Sequence, residues 1–238
     1  LLGDLTADSH TSWQRVADHF DTLLDRPSAV DALEQTILQL AVRGQLVPQD
    51  PADEPASALL KRIRVEKDRL IAAGKIKRDK PLAPIGEDEQ PFELPPGWAW
   101  VRLNDLIRIS SGDGLTAAQM APGGAIPVYG GNGINGHHDH ANVEEPTLVI
   151  GRVGYYCGSV HITPARAWVT DNAFITRYPK AFLDMNWLYW LLVGTNLKEN
   201  DSATAQPVIS GRKLYPIVIA LPPLPEQRRI VARVAQLH

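Results

Sequence analysis

Hydrophobic positions in the first part of the chain recur at helical intervals. Val30, Leu33, Ile37 and Leu40 follow a 3-4-3 spacing that places them on one stripe, within a helix expected over residues 12–43. Gly44 stands where a helix end favours a left-handed residue. After the acidic, proline-rich loop PQDPADEP, a second helix is expected from about Pro55 to Ala73, with an early proline suited to a first turn. Ala56, Leu59, Leu60, Ile63 and Leu70 make its apolar stripe, and Gly74 closes it. The stretch KIKRDKPLAPIGEDEQPFELPPG has no periodicity and reads as a linker.

From Leu94 the texture changes to short β-type runs: WAWVRL, AIPVYG, PTLVIGRV, GSVHIT, AWVT and AFITRY, with turn signals between them. One helix, 185–197, is apolar nearly all round and is expected to be buried. YPIVIALPPL ends this region in a buried strand, and LPEQRRIVARVAQLH opens another helix whose stripe is Ile230, Val234 and Leu237. That stripe is still periodic where the sequence stops, which suggests a fragment and an apolar face awaiting a partner helix. The expected architecture is α+β: a helical region and linker over 1–91, a sheet-rich domain over 92–222, and the start of a long coiled-coil-type helix over 223–238.

With 44% apolar residues in 238, a sizeable core is available, in one large domain or a domain with an appendage. The apolar runs are too short for a membrane span. LLGDLTADSH lacks the basic run and apolar block of a secretory leader. The single cysteine, Cys157, excludes an internal disulfide framework, so a cytoplasmic location is expected.

The net charge of −3 argues against a polyanion partner until its distribution is considered. Residues 1–60 carry 3 basic and 10 acidic side chains, residues 61–80 carry 9 and 3, and residues 95–222 carry 9 of each. Polyanion binding follows the local field. The basic block therefore either faces phosphate or is a solvated helix face with a tail.

Catalytic signatures are missing. The sequence has no GxxxxGK[ST] loop, no GxGxxG between strand and helix, and no Asn-Pro-Pro-aromatic motif of adenine methyltransferases. Cys157 has no motif pairing it with a histidine base, and Ser110–Ser111 beside Gly112 are a poor hydrolase signal. The acids of the second domain (Asp105, Asp113, Asp139, Glu144, Glu145, Asp171) lack nuclease-like spacing.

Two stretches carry candidate chemistry. In YGGNGINGHHDH (129–140), His137, His138, Asp139 and His140 are metal-ligand types, which gives an alternative reading as a small metal-dependent hydrolase. Neighbours in a strand point to opposite faces, however, and do not all converge on one ion. The segment otherwise reads as a turn between two strands or as a recognition loop. In the latter, glycines allow close approach to a ligand, Asn132 and Asn135 are able to pair bidentately with adenine, and His137 and His138 reach bases or phosphates. In GRVGYYCGSV (151–160), Arg152 beside Tyr155 and Tyr156 suits base or phosphate contact; the other reading is a tight hairpin with core tyrosines. A protein–protein module of the antirestriction or immunity type is a third possibility.

Three stretches, LEQTILQLAVRGQLVPQDPADEPASALLKRIRVEKDRLIAAGKI (33–76), LPPGWAWVRLNDLI (94–107) and LPPLPEQRRIV (221–231), together resemble the specificity subunits of type I restriction–modification enzymes. Between them, IPVYGGNGINGHHD, VIGRVGYYCGSVHIT, WVTDNAFIT and AQPVISG resemble one subtype of that family's target recognition domain. The resemblance implies a non-catalytic chain that reads one half of a split double-stranded DNA target. Methyltransferase (modification) subunits would bring S-adenosylmethionine, and restriction subunits would add ATP and magnesium. A full subunit is expected to hold two recognition domains on two long antiparallel helices. This chain resembles one half, or a half-length version that pairs as a homodimer. The DNA-contacting residues expected on this basis are Tyr129, Gly130, Gly131, Asn132, Asn135, His137, His138, Arg152, Tyr155, Arg166, Asn172, Lys180, Arg212 and Lys213, with Gln206 and Ser210 as polar residues in family-like stretches.

Overall fold

The structure, a computed structural model, describes residues 27–195, 197 and 208–237. Helix α1 (Pro27–Val42) buries Ile37, Leu38 and Ala41, whereas Val30 and Leu33 of the expected stripe are exposed. The reason is its neighbour. α1 packs on α4 (Met185–Gly194), where a Cβ on Gly194 would lie 3.3 Å from Val42 and 3.5 Å from Leu38. The segment of the expected first helix before residue 27 lies outside the described residues. Helix α2 (Ala56–Ala72) buries Ala56, Leu59, Leu60 and Ile63, as its pattern predicts, whereas Leu70 of the expected stripe is only half-buried.

The 75–97 stretch lacks regular structure apart from a 3-10 turn at Glu87–Glu89, but it is clamped and is not a free linker. Arg102, at the end of β1 (Ala99–Arg102), is buried and donates to both Glu89 oxygens (2.9 Å each). The same guanidinium donates to the carbonyls of Ala83 (3.0 Å), Pro84 (3.3 Å) and Pro216 (2.7 Å). A planar cation with five donors suits such a cage. Asp79 joins Lys67 of α2 (3.0 Å) to Arg108, the first residue of β2 (Arg108–Ser111).

β1 is followed by one helical turn, α3 (Leu103–Leu106), and then by β2. The remaining strands are β3 (Ile126–Gly130), β4 (Gly133–His138), β5 (Leu148–Gly151), β6 (Val160–Ile162), β7 (Trp168–Val169), β8 (Ala173–Arg177) and β9 (Val218–Leu221). They form an antiparallel four-stranded sheet β2-β8-β5-β6, a three-stranded sheet β4-β3-β7 with β3 and β7 parallel, and an antiparallel pair β1-β9. The four-stranded sheet is covered on both faces. Leu148, Ile150 and Phe174 join the large core shared with the helices, while Val149, Ala173 and Ile175 join a smaller core with Tyr129, Ala167 and Val169. This double cover accounts for the unbroken apolar run of β5.

Helix α4 is capped by Asp184, whose Oδ1 accepts from the N–H groups of Asn186 (2.9 Å) and Trp187 (3.1 Å). A last turn, α5 (Gly211–Leu214), precedes β9, and α6 (Leu224–Leu237) closes the chain. α6 is followed for 14 residues, so a long spacer helix is not displayed. Its Ile230 and Val234 are buried within this chain, with α6 packed on α1 and α4. The expectation that those two positions await a partner helix is therefore corrected.

The LPEQRR motif explains itself here. Glu226 is buried and accepts from the Trp98 indole N–H (3.0 Å) and from the Gln49 amide (3.1 Å). Gln227 is also buried; it accepts from the Asp184 N–H (3.0 Å) and donates to the Pro222 carbonyl (3.2 Å). Arg229 pairs with Asp53 (2.6 Å). The GW and PEQRR motifs thus meet in one polar joint that fastens the start of the sheet-rich region to its end. Gly44 (φ 69°) completes the joint, since a Cβ there would lie 2.8 Å from the Trp98 ring.

Candidate nucleic-acid interface

The YGGNGINGHHDH segment folds as a β-hairpin. β3 and β4 are joined by the two-residue turn Gly131–Asn132, with Gly130 opposite Gly133 (φ 82°). The register passes from Val128↔Gly136 to Tyr129↔Ile134, so Asn135 is the extra residue of a bulge. Its side chain lies over Gly130, where a Cβ would sit 2.6 Å from Asn135 Nδ2. Asn132, Asn135 and His137 are exposed. Tyr129 is buried, and burial raises its phenol pKa. His138 is half-buried, edge-on to Trp168 (5.2 Å between ring centroids) and His140 (5.4 Å). Among the described residues no group of three or more His, Cys, Asp or Glu side chains converges to hold a metal ion. The hydrolase alternative built on residues 137–140 loses its ligand set, because successive residues such as His137 and His138 point to opposite faces of β4.

A second loop locks onto the hairpin tip. A Cβ on Gly151 would lie 2.2 Å from the Gly131 carbonyl oxygen, and one on Gly131 would lie 2.7 Å from that of Val153. Ser159 Oγ donates to the Gly131 carbonyl (2.9 Å), and the Gly158 N–H donates to that of Gly151 (2.8 Å). The turn at 170–172 joins them: the Arg152 N–H donates to the Asn172 carbonyl (2.9 Å), and the Thr170 N–H to that of Tyr129 (2.8 Å). The Ile209 N–H donates to the Arg152 carbonyl (2.9 Å), which brings the segment leading into α5 alongside. Ser210 follows Ile209 directly, and Arg212 and Lys213 are on α5 itself.

Four chain segments therefore converge, with Asn132, Asn135, Tyr155, Asn172 and Arg212 exposed on them. Tyr155 is 74% exposed and Tyr156 54%, their rings meeting edge to face at 5.0 Å. Tyr156 is thus no core residue. The burial of Cys157 between Gly154 (φ 89°) and Gly158 (φ 86°) anchors the loop and turns both rings outward.

Arg166 and Lys180 lie elsewhere. Arg166 pairs with Glu144 (3.1 Å) and Lys180 with Glu145, just before β5 begins, while the loop cluster is at its far end, about 10 Å along the strand. Lys180 holds the Glu145 carboxyl below the usual carboxylate range. Alanine at either basic position is expected to change DNA affinity by no more than about twofold, measured by anisotropy titration, since exposed pairs contribute little. Gln206 lies outside the described residues. The sequence reading missed His161, which lines a cleft with Tyr129, Asn132, Ile134 and Tyr189. Burial lowers its pKa and favours the neutral ring. Nothing distinguishes it in the strand run GSVHIT.

The family model of the type I restriction modification DNA specificity domain matches residues 95–238. The type I restriction enzyme EcoAI specificity subunit of Escherichia coli is 56% identical over 117 residues, covering 47% of this chain and 20% of the relative. The EcoEI specificity subunit of Escherichia coli is 57% identical over 96 residues, covering 40% and 16%. The matched segments therefore span a fifth or less of the length of these relatives. In fold, it is similar to the type I restriction–modification S subunit from M. genitalium, with a TM-score of 0.54 at 18% identity over 61% of this chain and 40% of that one. Among the described residues no helix is long and apolar enough to cross a membrane. With more than half of its length matched, the chain belongs to the type I restriction modification DNA specificity domain family, whose relatives here are specificity subunits.

Proposed function

We propose that this chain is the DNA sequence-recognition component of a type I restriction–modification enzyme and reads one half of a bipartite double-stranded target. The observation that carries this reading is the loop cluster. Glycine packing fixes three backbone turns against one another and leaves two asparagine amides and two phenol rings outward. Side-chain amides and rings suit base edges, while Arg152, Arg212 and Lys213 suit phosphate.

The chain performs no chemistry in this scheme. It docks methyltransferase subunits, which supply S-adenosylmethionine, and through them restriction subunits, which use ATP and magnesium in the cytoplasm. A second recognition domain, or a second copy in a homodimer, reads the other half-site. The test is alanine at Asn132, Asn135 and His137 in the assembled methyltransferase. Removing a side chain that pairs bidentately with a base costs roughly 1–3 kcal/mol of discrimination. Target preference over a mismatched duplex should fall accordingly in competition binding. An unchanged preference in the triple variant would remove these loops from recognition.

A further inference from the structure

The cleft beside the hairpin turn takes no part in the reading scheme above. Its volume is about 540 Å³, within the roughly 300–1,000 Å³ of small-molecule sites. β6 has a neighbour, β5, on one side only, and the cleft straddles its open edge. His161 stands opposite Val149, on the sheet face shared with Tyr129, while Ile162 stands opposite Leu148, on the face covered by the helices. Tyr129 and its cross-strand partner Ile134 thus form one wall with His161, and Ile162 and Tyr189 of α4 form the other. Asn132 lines the cleft as well, so it opens at the hairpin tip.

The polar groups inside are defined by their neighbours. Ser159 Oγ gives its one proton to the Gly131 carbonyl (2.9 Å), so His161 Nε2, 3.2 Å away, is the donor to that hydroxyl. This sets the tautomer and leaves Nδ1 a bare acceptor, with no hydrogen bond among the described residues. Burial favours the neutral ring. The turn holds it in place, since a Cβ on Gly133 would lie 3.2 Å from His161 Cε1. The strand edge adds a donor and an acceptor. The Gly151 N–H bonds the Ser159 carbonyl (2.8 Å) and the Thr163 N–H that of Thr147 (2.9 Å), so alternation turns the N–H and carbonyl of Ile162 away from β5, to the open side. None of the described lining residues carries a full charge. Aromatic and apolar walls around a few neutral donors and acceptors suit a nucleobase and give no counter-charge to a phosphate or carboxylate. An edge of three residues offers little to an added peptide strand.

We propose that this cleft receives one nucleobase turned out of the duplex beside the hairpin, and that His161 Nδ1 accepts a hydrogen bond from its exocyclic amine. This rests on the DNA-reading function proposed above. The amine admits adenine, cytosine or guanine and excludes thymine.

The test uses the complete methyltransferase complex containing this chain, with anisotropy titrations of target duplexes that each carry one abasic site in the half-site. Unpairing is least costly opposite a missing partner. At one position other than the methylated adenine, removing the partner of the extruded base should therefore tighten binding by roughly tenfold. Ile134 is 56% exposed, so I134W fills the cleft without adding bulk to the core, and it should abolish that tightening. At the same position, replacing the base by its amine-free analogue (purine for adenine, 2-pyrimidinone for cytosine, hypoxanthine for guanine) should weaken wild type by roughly tenfold and H161F no further. Only the analogue of the base that is held should have this effect. Tightening that persists in I134W would place the base elsewhere and overturn the proposal, and an equal analogue loss in wild type and H161F would remove His161 from it. If the wild-type complex prefers its target over a scrambled duplex but no abasic partner tightens binding, the pocket alone falls. If it has no such preference, the DNA-reading function falls, and the pocket with it.

Discussion

Replacing Glu226 with alanine should lower the unfolding free energy by roughly 3 kcal/mol, as a buried acceptor of two hydrogen bonds is removed. The carboxylate is 1% exposed, with the Trp98 indole on one oxygen and the Gln49 amide on the other. Truncation leaves both donors buried without an acceptor and opens space between α6 and the start of the sheet-rich region. For a chain of this length the melting temperature should drop by about 6–12 °C. E226Q should cost less, about 1 kcal/mol, since the shape is kept and one of the two acceptors is replaced by a donor. The variants also separate in pH. Burial raises the Glu226 pKa, against the opposing pull of Gln49, Trp98 and Arg229. A raised folded-state pKa means that the native state holds the proton more tightly than the unfolded one. Its contribution to stability is full below the ordinary value and is lost as pH rises through the raised one. Wild type should show that decline in urea titrations across the acid range, and E226Q should lack it. An E226A protein within about 1 kcal/mol of wild type would show that the joint is not what binds the two ends together.

That joint also marks where sequence pattern stops being informative. PEQRR is visible as a motif, but a glutamate and a glutamine in the first turn of an amphipathic helix read as solvent-facing. No periodicity distinguishes Glu226 and Gln227, both buried, from the exposed Arg228. The burial of Glu226 follows from a contact with Trp98, 128 positions earlier, and that of Gln227 from a contact with Asp184, 43 positions earlier. The same limit applies to the 75–97 stretch. Its proline and charge content predicts irregular backbone, which the structure has, but Arg102 pins it with side-chain bonds that composition does not encode. Local signals did better. The α2 stripe up to Ile63 and the Gly-Asn turn of the β3–β4 hairpin are set by near neighbours, and both are in place. On α1, Val30 and Leu33 are as apolar as the residues that are buried, and only the position of α4 decides between them. Tyr156 carries no distinguishing sequence mark either. Its outward placement depends on the buried Cys157.

Gly151→Ala should abolish target recognition while leaving the helices intact. The added Cβ would fall 2.2 Å from the Gly131 carbonyl oxygen and 2.7 Å from Ser159 Oγ, distances that no rotamer relieves because the atom is fixed to the backbone. Gly151 has no freedom to retreat. Its N–H donates to the Ser159 carbonyl (2.8 Å), its carbonyl accepts from the Gly158 N–H (2.8 Å), and its strand is paired with Ala173 of β8. The hairpin tip must therefore withdraw, carrying Asn132 and Asn135 with it. Overpacking of this kind costs roughly 1–3 kcal/mol in stability. Displacing the two amides from the bases should reduce affinity for the target duplex by roughly 100-fold, or about 2.7 kcal/mol, towards the level of a scrambled duplex. Gly114 supplies the control: a Cβ there meets nothing within 4 Å and its φ is not positive, so G114A should bind and melt like wild type. Gly154 is intermediate, with open space but φ 89°, so G154A should be strained by about 1 kcal/mol without a clash. Measured together, the three alanines rank the sites by clash and by backbone strain. If G151A kept its target affinity within about threefold of wild type, the packing of the hairpin tip on Gly151 would not be what positions the reading side chains.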